Sequence, residues 1–117
     1  MDIMIEELQT VSDQIKQIPD DLGQQVTYLL DLTNLKWAIS DLMPEAKKRY
    51  NEKYAEVSAS VIDEYKDKKI AITTLNGIIK GRCAEEQKLV DICERINSTI
   101  NLQSQNLRTI ISFKKIG

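Results

Sequence analysis

The chain has 117 residues, 29% of them charged, a net charge of −2 and no histidine. A length of this order fits one domain with a modest core, and so small a net charge excludes bulk attraction to nucleic acid or an anionic membrane, so any such contact must be local. Four glycines, two prolines and six aromatic residues, set against abundant Lys, Glu, Gln, Leu and Ile, exclude a sheet-rich composition and predict an all-α fold.

The opening MDIMIEELQT carries acids in place of a basic leader region, and no run approaches the eighteen or so apolar residues of a membrane span. A soluble protein of the cytoplasm is expected, without membrane contact. Leu8, Val11, Ile15 and Ile18 follow helical spacing, so residues 2–18 are expected to form an amphipathic helix ended by Pro19 and available as an oligomer or partner contact. Asp20 or Asp21 can cap a second helix. On it Leu22, Val26, Leu29, Leu30, Thr33 and Trp37 share one face, while Leu32, Leu35, Ile39 and Leu42 widen it. A helix apolar over more than half its girth needs cover on two sides, which means an interior position or an oligomer contact, and a homo-oligomer is expected.

Pro44 suits the first turn of a third helix and disfavours helical geometry at Met43, so a kink or corner is expected there. Tyr50, Tyr54, Val57, Val61 and Tyr65 then form a narrow seam of core-edge tyrosines. The β-branched cluster IAITT, residues 70–74, has no strand to pair with and reads as a loop or frayed helix start. Thr73 or Thr74 is expected to cap a last long helix running from Leu75 to Phe113. Between Ile96 and Leu107 this helix carries Asn97, Thr99, Asn101, Gln103, Ser104, Gln105 and Asn106, an uncharged polar flank suited to helix–helix hydrogen bonds or to fixing register. The expected architecture is a single helical domain over residues 1–117 with four to five helices. Residues 22–42 and 44–66 would form an antiparallel pair packed on the long C-terminal helix, with Leu29, Trp37, Leu89, Ile96 and Ile100 in the core.

Charge sign changes along the chain: residues 1–59 hold six basic and eleven acidic residues, and residues 60–117 ten and seven. The basic candidates are Lys66, Lys68, Lys69, Lys80 and Arg82, opposed within their span by Asp67, with Gly77 and Gly81 among them as either a close-packing notch or a corner that gathers the charges. They form the candidate contact for phosphate backbone. Lys47, Lys48 and Arg49, and then Arg108, Lys114 and Lys115, are further basic groups. No catalytic constellation is present: histidine is lacking, carboxylates are scattered, and NGIIKGR lacks the lysine and hydroxyl that a phosphate loop places after its second glycine. Cys83 and Cys93, about 15 Å apart on a helix, are beyond disulfide reach and read as buried apolar residues. No enzyme activity, cofactor or metal is expected.

The segments KWAISDLMPEAKKRYNEKYAEV and LVDICERINSTINLQSQNLRTIISFKKIG resemble the small helical recombination mediators of tailed phages, the UvsY type. The likeness covers residues 36–113 and matches Lys36-Trp37, the following Lys47-Lys48-Arg49 and the closing helix Leu107 to Phe113. It implies an oligomeric ring that binds single-stranded DNA and helps load a recombinase. Where that family carries basic residues before an aromatic corner, this chain has Val57-Ser58-Ala59-Ser60, which moves the expected DNA contact to Lys66, Lys68, Lys69, Lys80 and Arg82. The alternative is a non-enzymatic protein-binding module, a phage-encoded inhibitor of a host protein or an assembly subunit, acting through the apolar second helix or the acidic N-terminal half.

Overall fold

A computed structural model describes residues 3–116, with side chains as far as Lys114. The described residues are all-helical, in the order α1 (Ile3–Gln14), α2 (Leu22–Tyr65), α3 (Ile72–Arg82) and α4 (Ala84–Ile116). They form two compact units, one of residues 3–43 with 92–116 and one of Pro44–Asp91.

In the first unit the start of α2 and the end of α4 run antiparallel. Contacts pair Gln25 with Lys114, Tyr28 with Gln103 and Lys36 with Asn101, so the partner position falls as the α2 position rises. Apolar residues line this seam in alternating steps of four and three on α2 and in steps of three, four, seven and four on α4, where buried Ser104 falls inside the long step. Tyr28, Leu32, Leu35, Ile39 and Leu42 are buried on α2, and Cys93, Ile96, Ile100, Leu107 and Ile111 on α4; such spacing keeps one stripe of each helix facing the other. Met4, Leu8 and Val11 bury the inner face of α1 in the same unit.

α1 stops at Gln14, short of the expected Ile18, and Tyr28 supplies a physical reason. Its hydroxyl accepts from the backbone N–H of Lys16 at 3.0 Å and lies 2.8 Å from the Lys16 carbonyl and within reach of Gln103 Oε1. Gln103 Nε2 donates to that same carbonyl at 3.0 Å. If the single phenolic proton goes to Gln103, every polar group of the cluster is satisfied. The backbone of Lys16 is thus held by side chains of α2 and α4 instead of by a further helical turn. Asp21 opens α2 as expected, its carboxylate accepting from Gln24 N–H at 3.1 Å.

Three expectations are corrected. α2 passes through Pro44 without a break, so residues 22–42 and 44–66 are successive stretches of one helix and cannot be an antiparallel pair. Proline removes the bond to the carbonyl four residues back, but Ser40 and Pro44 are both exposed, and water can take over that carbonyl. The expected single helix from Leu75 is in fact two, since α3 begins at Ile72 and breaks at Cys83 (φ −102°, ψ 10°). The Cys83 N–H is shared between the carbonyls of Ile79 and Lys80, both at 3.2 Å. Finally, Trp37 is not in the core but 71% exposed, and Leu29 and Leu89 are half-buried, whereas Ile96 and Ile100 are buried.

In the second unit Val57, Val61, Ile79 and Cys83 form the core, with Tyr50, Tyr54, Tyr65, Leu75 and Ile78 packed around it. The tyrosine seam expected from the sequence is this cluster's edge.

Ile100→Ala, which deletes a fully buried side chain from the α2–α4 seam, should lower unfolding stability by about 2–5 kcal/mol in urea denaturation.

Candidate functional site

The five candidate cations lie in the second unit, on the α2–α3 turn and on α3, and local acids already hold two of them. Lys66 pairs with Asp63 at 3.3 Å, and Arg82 Nη1 donates to Glu64 Oε2 at 3.0 Å. That hydrogen bond, with the charge of Glu64, keeps the Arg82 guanidinium even more firmly protonated than usual. The Lys68 ammonium sits 5.2 Å from the Tyr65 ring centre, a cation–π placement. Lys69 and Lys80 are exposed. Reading from Lys66 onward omits Asp63 and Glu64; once they are included, the local excess falls from four charges to two.

α3 runs through Gly77 and Gly81, so they form no corner, and a Cβ at either position would meet no atom within 4 Å, so no part of the described chain packs into a notch there. The turn falls at Cys83, whose buried side chain packs in the unit's core.

Three members of the other basic groups are also engaged close to home. Lys48 faces Glu52 at 4.0 Å and Arg49 faces Glu45 at 3.6 Å, both one turn apart on α2 and solvent-screened. Lys114 donates to the Asp20 carbonyl at 2.7 Å and to Gln25 Oε1 at 3.0 Å, tying the end of α4 to the start of α2. The side chain of Lys115 lies outside the described residues.

Among the described residues no group of three or more His, Cys, Asp or Glu side chains is placed to hold a metal ion. No helix among them is long and apolar enough to cross a membrane. Cys83 and Cys93 are free and buried, and desolvation pushes both thiols up from their ordinary range, which suppresses the nucleophilic thiolate.

The most conspicuous surface is apolar. Leu22, Val26, Leu30 and Trp37 are all exposed on one side of α2, in steps of four, four and seven. Of the two apolar faces legible in the sequence, this one is outside. Trp37 borders Lys36, whose ammonium donates to Asn101 Oδ1 at 2.6 Å and so stays on the α2–α4 seam.

Comparison with known proteins returned no match to any family model, curated protein or solved structure.

Gly77→Ala and Gly81→Ala should each raise stability by up to about 1 kcal/mol, because alanine restricts the unfolded chain and meets nothing in the helix. A loss of stability in thermal unfolding would mean that the glycines carry a turn or a close contact.

Proposed function

We propose that this chain is a non-enzymatic helical interaction module that works as a homo-oligomer, its contact being the outer face of α2. One observation carries this reading: Trp37 and Leu30 are 71% and 63% exposed, in line with Leu22 and Val26. Large aromatic side chains at the centre of desolvated patches dominate interface energies, and a lone solvated stripe of this kind is costly to leave uncovered.

The geometry of the stripe favours a second copy as its cover. Leu22 to Trp37 spans about 22 Å of helix, with Leu30 beside its midpoint. Two copies related by a two-fold axis near Leu30 would set Trp37 of each over Leu22 of the other. This is the self-complementary contact of an isologous dimer. A standard interface buries about 800 Å² per partner, so the four side chains are its anchors and flanking polar residues its rim. Light scattering should give a multiple of the protomer mass at micromolar concentration, and Trp37→Ala should return the protomer mass with helicity intact. A wild-type chain that stays a protomer refutes the reading.

A second reading, single-stranded DNA binding by a UvsY-type mediator that assists a recombinase, is supported by Lys68, Lys69 and Lys80. None of the three is paired with an acid among the described residues. It requires binding that weakens steeply with salt. Replacing these three lysines by alanine should then lower the log–log salt slope by about 0.7 per lost contact. No binding at low salt excludes it.

A further inference from the structure

We propose that the trough between α1 and α2 is a docking site for a cationic amphipathic helix of a partner protein, a surface that borders the outer stripe of α2 along Asn34 and Asp41 but is centred on the α1 side of it. Two adjoining hollows form it, of about 610 and 480 Å³, and they share Gln14, Asn34 and Leu35. Both belong to the first unit.

The apolar lining is the exposed Ile3 at the rim and the half-buried Ala38, over a floor of Val11 and Leu35 that are themselves core residues. The walls are acidic: Glu6, Glu7 and Asp41 line the first hollow and Asp13 and Asp31 the second, against the single cation Lys16. Lys16 is drawn aside over the Tyr28 ring, 5.4 Å from its centre. None of the five carboxylates is in an ion pair with a described residue. Asp13 accepts only the Gln9 side-chain amide, at 2.7 Å.

Length and charge together select the occupant. From Asp31 to Leu42 the α2 wall is about 16 Å long, or three helical turns. An apolar floor between charged walls matches a helix with apolar side chains at positions one turn apart and Lys or Arg on either flank. Phosphate backbones and anionic lipid headgroups are repelled by the same carboxylates. Opposed charges of this kind speed encounter and set partner choice, while Ile3 and Ala38 offer the apolar surface a docked helix would cover.

The test uses the full chain and a labelled synthetic helix of leucine and lysine, followed by fluorescence anisotropy. The expected result is saturable one-to-one binding that weakens with salt and is absent for the matching leucine–glutamate peptide. Combining Glu6→Gln, Glu7→Gln and Asp41→Asn should weaken binding roughly tenfold, the sum of three exposed charge pairs. A control variant, Glu56→Gln with Asp67→Asn and Glu85→Gln, removes the same charge from the second unit and should bind as wild type. Trp37→Ala should also bind as wild type. Equal weakening by both triple variants means net charge alone attracts the peptide, and loss on Trp37→Ala means it sits on the outer stripe. Either result overturns the proposal. Circular dichroism of each variant separates loss of binding from loss of fold.

Discussion

A single phenol settles the arrangement of the first unit. Tyr28 is 1% exposed, and its hydroxyl holds the backbone of Lys16 while contacting Gln103 of α4. A buried hydroxyl without partners would be destabilising by about 1–3 kcal/mol, so this network holds only if α1, α2 and α4 meet in one register. Gln25, also buried, adds a second polar lock, donating to the Pro19 carbonyl and accepting from Lys114. With Gln25 and Tyr28 turned inward, Leu32, Leu35, Ile39 and Leu42 follow by helical geometry. Leu22, Val26, Leu30 and Trp37 are then turned outward.

That geometry explains what could be read in the sequence and what could not. Helix-rich composition, the Asp21 cap, the tyrosine seam and the core positions Ile96 and Ile100 all rest on local periodicity, which the sequence carries directly. The polar flank of α4 was legible too: Asn101 and Gln103 do bond across to α2 and its preceding segment. The inner face of α2 was not legible from hydrophobicity, because two apolar series interleave on it and each carries large side chains. The signal lay in spacing. Positions 25, 28, 32, 35, 39, 42 and 46 keep an alternating rhythm on α2, whereas the outer series runs out at Ser40 and Pro44. The groove was equally hidden, since Glu6, Glu7, Asp31 and Asp41 are brought together only by the packing of α1 on α2.

The basic tract shows the opposite failure, in which a real composition signal overstated a site. Surface lysines near a helix end find acids one turn away, as Lys66 and Arg82 find Asp63 and Glu64. Exposed pairs of this kind contribute little to stability, yet each occupies a cation that a phosphate would otherwise meet. Lys68, Lys69 and Lys80, without an acid partner among the described residues, leave a weak electrostatic surface, whereas the first unit carries an exposed apolar stripe and an acid-lined trough.

The inner face assigned to α2 requires Trp37, the chain's only tryptophan, to lie outside the folded protomer. Acrylamide quenching of its fluorescence measures this at concentrations where light scattering gives the protomer mass. Emission like that of solvated indole, quenched about as readily in the folded as in the urea-unfolded chain, is the predicted result. Blue-shifted emission with strongly suppressed quenching in the folded protomer would place Trp37 in the core and contradict the inner face assigned to α2.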